Sequence, residues 1–292
     1  MAEKERWLSN EPEKIEKAAA TIKKAQTTQP SDRYLRQLTN YRELFKDYGS
    51  IVFLINQVLE SERLIRQNLL PQQLPLLELP DDVQEQIFNH LKERYPLGDP
   101  RGDHLWEKLT RELPKLDKLL RSYRDFLEEK YGMWAYVSAP LINDLTAYLA
   151  GRPTLEIMAG NGYISHGLRM KDQPVIATDS LAWQSENETG RHLVTEVEPL
   201  DALAAIEKYG TQVDYVIMAW APDGMDIDVQ VLEKLRSLPN QPLLICIGEQ
   251  NGATNSSEFW QTAQLVEPQA TAKLNQHFQP FDLIHDQVYL IK

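Results

Sequence analysis

Two carboxylates and a glycine turn stand at a spacing suited to holding a nucleoside with a cationic end. Thr154-Leu-Glu-Ile-Met-Ala-Gly-Asn-Gly-Tyr-Ile-Ser165 is an apolar run carrying Glu156 and leading into Gly160-Asn161-Gly162, and Val175-Ile-Ala-Thr-Asp179 is a second apolar run ending in an acid. Glycine accepts positive φ and lets a ligand approach the backbone where a Cβ would block it. An acid at the carboxyl end of a parallel strand can accept both hydroxyls of a ribose. Glu156 would repel a pyrophosphate but suits a cationic or amino-bearing ligand. The dinucleotide pattern Gly-x-Gly-x-x-Gly needs a third glycine where Ser165 stands, so that chemistry is set aside.

These residues need a strand, a turn, a helix and a second strand to position them, and the chain continues in the same alternation. His192 to Val197 is β-rich, and Asp201 caps a helix to Gly210. Val213 to Trp220 is a strand, Asp228 to Ser237 a helix, and Pro242 to Gly248 a strand. A helical stretch from Ser257 to Val266 precedes Phe281-Asp-Leu-Ile-His285 and Gln287 to Lys292, which are close enough for a terminal hairpin. Alternating strands and helices imply an α/β fold with a doubly wound, mostly parallel sheet.

The 154–165 segment resembles motif I of the class I S-adenosylmethionine-dependent methyltransferases, an acid followed by Gly-x-Gly-x-Gly, and Asp179 is similar to their motif II acid. The resemblance spans about residues 131–292 and implies a seven-stranded sheet with S-adenosyl-L-methionine as cofactor. Under it, Glu156 lies near the methionine ammonium, and Gly160, Asn161, Gly162 and Tyr163 form the turn. Asp179 holds the ribose, and Asp201 lies near the adenine amino group. Met158 stands where the family has its first glycine. The activity implied is methyl transfer to an acceptor, and the alternative from another class is a non-catalytic or degenerate cofactor-binding scaffold whose helical half mediates interaction or dimerisation.

On the acceptor side, Trp220-Ala-Pro-Asp223 follows the fourth strand and Glu249 follows the fifth, so Glu249, Trp220 and Asp223 are the catalytic candidates. Glu249 suits a general base or the binding of a cationic acceptor, and equally a solvated loop acid. Trp134 and Tyr136 precede the first strand of the unit and fit either a lid over the cofactor or a plug between two halves of the molecule. Trp260 is expected near the same edge. Aromatic faces with uncommitted carboxylates suit a small neutral or cationic acceptor. The six histidines show no metal-ligand spacing, and His166 reads as a helix-surface or packing residue.

Residues 1–130 have a different texture, expected to form a helical N-terminal domain ahead of a Rossmann-like domain at 131–292. Helices are expected from Asn10 to Gln26, Ser31 to Tyr48, Ser50 to Asn68 and Asp81 to Arg94, followed by an apolar face of Leu116, Leu119, Leu120, Tyr123, Phe126 and Leu127. That face reads first as packing. The Pro-rich stretch 70–80 and the loop Gly98 to Gly102 read as exposed connections.

The 292 residues carry a net charge of -12. Residues 1–150 hold 24 acids against 22 bases and residues 151–292 hold 19 against 9, so the site-bearing half is strongly acidic and a poor match for nucleic acid. No stretch approaches a membrane span, and the start lacks a secretory pattern. The lone Cys246 lies in an expected central strand, where it reads as packing, and a cytoplasmic setting is expected.

Overall fold

The structure, a computed structural model, describes residues 30–292; the helix expected from Asn10 to Gln26 lies outside them. Five helices come first: α1 Pro30–Leu44, α2 Gly49–Arg66, α3 Val83–Arg94, α4 Pro100–Arg121 and α5 Tyr123–Tyr131. They close around one core that includes Leu38, Phe45, Ile51, Ile55, Leu116, Leu120 and Tyr123, all at 0 % exposure. The apolar face expected over residues 116–127 is therefore packing, as a stripe at helical spacing usually is. It is carried by two helices that break at Ser122.

The second half alternates. Helix α6 Ala139–Leu149 is capped by Ser138, and after it come β1 Thr154–Ile157, α7 Tyr163–Arg169, β2 Val175–Asp179, β3 Glu198–Pro199 and α8 Ala202–Tyr209. Then follow β4 Tyr215–Ala219, α9 Ile227–Ser237, β5 Leu243–Gly248, α10 Ser257–Thr262, α11 Pro268–Leu274 and β6 Gln287–Ile291. The sheet order is β3-β2-β1-β4-β5-β6, parallel throughout except for β6, which pairs antiparallel with β5. The pleat sends Leu155, Ile157, Val216, Met218, Leu244 and Cys246 to one face, under α8, α9 and α10. Tyr215, Ile217, Ile245 and Ile247 face α6, α7 and α11 on the other. Helices cover both faces, as a doubly wound sheet requires. Cys246 is buried in the first of these layers, and burial pushes its thiol pKa up.

Three expectations are corrected. The described residues form six strands rather than seven, because Phe281 to His285 is a held loop instead of a strand. The Asp282 side chain accepts from Ile284 N at 3.0 Å, His285 N donates to Glu249 Oε1 at 2.9 Å, and Phe281 O accepts from Leu77 N at 2.7 Å. Those backbone groups are committed elsewhere and no ladder forms. Likewise 192–197 is a loop ahead of the two-residue β3. Val194 N donates to Asn161 O at 3.0 Å, and Thr195 and Val197 pack so tightly on Gly162 that a Cβ there would meet them at 2.8 and 2.9 Å.

The 70–80 stretch, expected to be exposed, is threaded between the halves. Ala139 N donates to Pro71 O, Tyr136 Oη to Gln72 O and Gln73 Nε2 to Gln279 O, while Leu74 and Leu77 are buried.

Candidate functional site

In open α/β sheets ligands bind at the carboxyl ends of the strands, where the strand order reverses, which here is between β1 and β4. The backbone is strained at that edge. Met158 directly after β1, Leu181 just past β2 and Trp220 directly after β4 take φ of 52°, 56° and 56°, values that cost a non-glycine residue on the order of 1–3 kcal/mol. Met158 thus adopts the left-handed conformation for which a glycine is the usual choice.

Glu156 lies on the face of β1 opposite Leu155 and Ile157, beneath α7, and is 2 % exposed. Its carboxylate accepts from Ser165 N at 2.9 Å and from the Ser165 hydroxyl. Burial is the dominant influence and lifts its pKa to about 7, against the Ser165 hydrogen bonds and Arg169, which favour the charged form. A carboxyl poised near neutrality inside an apolar layer is stabilised as an anion by any cation brought to it.

Asp179 ends β2, two residues beyond the Ala177 that pairs with Glu156. Its Oδ2 accepts from Gly160 N at 2.8 Å and its Oδ1 from Leu181 N at 2.6 Å. The acid therefore fixes the turn it faces, while each oxygen keeps a lone pair, since an ionised carboxylate has about four acceptor positions. Asn161, 1 % exposed, donates from Nδ2 to Tyr131 O at 2.7 Å and Glu188 O at 3.0 Å and accepts from His192 N at 3.3 Å. Tyr163 donates to Tyr131 O at 3.1 Å. Asn161 and Tyr163 thus staple the turn to the end of α5. Gly132 allows this approach: with φ at 56°, a Cβ would lie 2.7 Å from the Glu188 backbone and 2.8 Å from Asn161 Nδ2. Asp201 caps α8 through Ala204 N at 2.9 Å and is exposed. His166 bonds to Asn68 O at 2.8 Å, joining α7 to the end of α2.

The aromatic pair at 134 and 136 divides between the two readings. Tyr136 is buried, bonded to Ser61 and Gln72 and packed on Phe281 at 5.2 Å, so it plugs the contact between the halves. Trp134 is 41 % exposed, donates from Nε1 to Thr189 Oγ1 at 2.9 Å and lies 6.5 Å from Trp220, so it sits at the mouth of the edge.

Of the acceptor-side candidates, Trp220 is at that mouth. Glu249 is half-buried and tied to Ala253 N at 2.8 Å and His285 N at 2.9 Å, which makes it a loop anchor. Asp223 is exposed and accepts from Gly224 N at 2.7 Å, apart from the cluster. Trp260 is buried on the α8–α10 side of the sheet against Tyr289 and donates to Thr254 O, in the loop that follows β5.

Sequence reasoning missed the most heavily bonded group at the edge. Arg124 on α5, 5 % exposed, pairs with Asp282 at 2.5 and 3.1 Å and Asp286 at 2.8 Å, and donates to Trp134 O at 3.0 Å. Its guanidinium lies 4.8 Å from the Trp220 ring and 4.9 Å from the Phe281 ring. Burial outweighs Arg124 and lifts the Asp286 pKa to about 6, and lifts that of half-buried Glu128, one turn further along α5, to about 7. The available signal was a charge at the i+4 position after Leu120, inside an apolar stripe.

A groove of about 910 Å3, lined by Asp144, Tyr148, Glu267 and Lys273, runs along α6 and α11. Tyr148 packs on Tyr215 at the start of β4, so this groove lies at the amino edge, opposite the strained turns. Shape favours it, but the buried charges are at the other edge. Among the described residues no group of three or more His, Cys, Asp or Glu side chains could hold a metal ion, and no helix is long and apolar enough to cross a membrane.

No protein-family model matches the chain, and no curated protein matches its sequence. Among solved structures it is similar to the mitomycin 7-O-methyltransferase MmcR, at 14% identity over 72% of this chain and 67% of that one, with a TM-score of 0.30. It is similar to MtNAS in complex with MTA and tNA, at 12% identity over 84% and 98%, with a TM-score of 0.33. The trans-methyltransferase CalH in complex with SAH is similar at 17% identity over 86% and 70%, with a TM-score of 0.26. These likenesses are distant, and the chemistry of this chain rests on its own residues.

Proposed function

We propose that the chain is an S-adenosylmethionine-dependent methyltransferase acting on a small neutral or cationic acceptor. The observation that carries this reading is the pair of buried carboxylates on the adjacent strands β1 and β2, beside the switch point. Glu156 is protonatable near neutrality, and Asp179 is aimed at the amide of a turn whose Gly160 has φ of 55°. One cation-seeking acid and one acceptor-rich acid fit a ligand with an ammonium at one end and a vicinal diol at the other.

The cofactor, when bound, supplies a methyl group on a sulfonium. The chain binds and orients. Asp179 holds the ribose hydroxyls with the lone pairs left by Gly160 and Leu181, and Glu156 gives up its proton to receive the ammonium. Trp134, hung from Thr189, covers the edge and excludes water. Transfer in line depends on placing the acceptor, a contribution of positioning rather than of any single side chain. The acidic charge of this half and its aromatic edge support a small acceptor rather than nucleic acid.

Calorimetric titration with S-adenosylmethionine and its demethylated product should give one site per chain. Asp179→Asn keeps an oxygen for the turn but loses the charge, and should weaken binding at least about tenfold, the equivalent of roughly 1.4 kcal/mol. Unchanged affinity in the folded variant would remove Asp179 from the site. Binding without methyl transfer to any amine, alcohol or thiol offered would point to the scaffold reading instead.

A further inference from the structure

The side of the edge away from the glycine turn gathers its own residues. Trp220 directly follows β4 and Glu249 directly follows β5. Asp286 immediately precedes β6, whose antiparallel course brings its start to the same edge. Arg124 enters from α5 between the Trp220 and Phe281 rings.

A guanidinium has five N–H groups. Four are committed here: two to Asp282, one to Asp286 Oδ2 and one to Trp134 O. Arg124 is therefore a structural cation with little left for a ligand anion. Against its single charge stand two carboxylates exposed only 9 % and 4 %, and Glu249 also acts on Asp286. Buried charge is costly unless balanced, and the surplus here is negative.

Two polar atoms beside this guanidinium are hidden from solvent and have no partner: Asp286 Oδ1, an acceptor, and Trp220 Nε1, a donor. Buried polar groups in folded proteins are overwhelmingly paired, so each orphan calls for an explanation. We propose that Asp286 and Trp220 form an amine subsite, in which Asp286 Oδ1 receives an N–H of the acceptor's amino group and the Trp220 and Trp134 rings flank its carbon skeleton. An ammonium supplies both the missing donor and the missing positive charge. A hydroxyl offers Asp286 Oδ1 a donor and Trp220 Nε1 an acceptor but no positive charge, so the negative surplus is what favours the amine, and a carboxylate adds to that surplus. Entry is past Trp134, half exposed and held by one side-chain bond to Thr189. The methyl group of Thr189 in turn lies 3.3 Å from where a Cβ on Gly160 would sit, so the two subsites share a wall.

Naming this group the methyl acceptor rests on the methyltransferase reading and requires the ammonium first to pass a proton to Asp286, so that the nitrogen lone pair forms the new N–C bond as the sulfonium S–C bond breaks and the thioether leaves; its preference for amines does not rest on that reading. The test is titration of the full chain with n-hexylamine, n-hexanol and hexanoate, followed by calorimetry and by the indole N–H resonances of Trp134 and Trp220. Hexylamine should bind at least tenfold more tightly than hexanol, hexanoate should not bind, and the Trp220 indole resonance should shift. Asp286→Asn keeps an oxygen for Arg124 and should remove the preference while leaving affinity for the demethylated cofactor unchanged. Should that variant fail to fold, the wild-type ranking of the three probes and the Trp220 resonance decide.

Equal binding of hexanol and hexylamine, preference for hexanoate, or an amine preference that survives Asp286→Asn would overturn the subsite. Cofactor binding without amine preference would defeat this inference alone, and amine preference without cofactor binding would defeat the methyltransferase reading alone.

Discussion

Glu156 places a carboxyl where apolar packing would be cheaper, and the consequence is a measurable pH dependence. With a folded pKa of about 7 against about 4.5 unfolded, the folded state holds the proton more tightly between those values. Stability from this group is therefore complete below about pH 4.5 and lost as pH rises through about 7, a change on the order of 3 kcal/mol. Thermal melts from pH 5 to 8 should show this decline, and Glu156→Gln should make it shallower by the share of Glu156, with Glu128 and Asp286, also raised by burial, supplying the rest. An equal slope in the variant would assign it to other groups. At Met158 the turn demands a left-handed residue, so Met158→Gly should melt within a few degrees of wild type or above it. Met158→Ile should lose on the order of 1–3 kcal/mol, because β-branched residues tolerate that region least. If isoleucine is accepted as readily as glycine, φ at this position is not the constraint. Glu156, Gly160, Gly162 and Asp179 were legible because strand ends and glycine turns are local patterns. The partnership of Arg124 with Asp282 and Asp286 was not, since it spans 158 and 162 residues and no local period encodes it.

At the scale of elements, helices and central strands followed the sequence to within a few residues, because amphipathic and apolar periods decide them. The Ser31 to Tyr48 expectation became Pro30–Leu44, and Pro242 to Gly248 became Leu243–Gly248. The failures were segments whose side chains compete for backbone groups. At 281–285 and 192–197, β-prone residues became loops because Asp282, Glu249 and Asn161 took up their amides. The same logic separates two connections that look alike in sequence. Stretch 70–80 is bonded to residues 139, 136 and 279, whereas Leu97 is 79 % exposed beside Gly98, where added bulk would meet nothing within 4 Å. Limited proteolysis within the described residues should therefore cut at 96–99 well before 70–80. Early cleavage at 70–80 would show that the threading is not maintained in solution.

Across the whole molecule, the helical half is joined to the sheet at its carboxyl edge by Arg124, by Tyr136 and by the end of α5, and the glycine turn is stapled to that same helix end through Asn161. The doubly wound order was legible from alternation, but the placing of a helical half over the edge was not, because nothing in its amphipathic pattern names the surface it meets. The central claim, that Glu156 and Asp179 hold S-adenosylmethionine, predicts a specific proton count. At pH 6.5 Glu156 is largely protonated when free, and an ammonium beside it favours the anion, so binding should release a substantial fraction of a proton. Titrating S-adenosylmethionine calorimetrically in two buffers of different ionisation enthalpy measures that release directly. The account predicts one site per chain, net release at pH 6.5 that vanishes by about pH 9, and none in Glu156→Gln. No binding heat, or the same proton release in the Glu156→Gln variant, would contradict it.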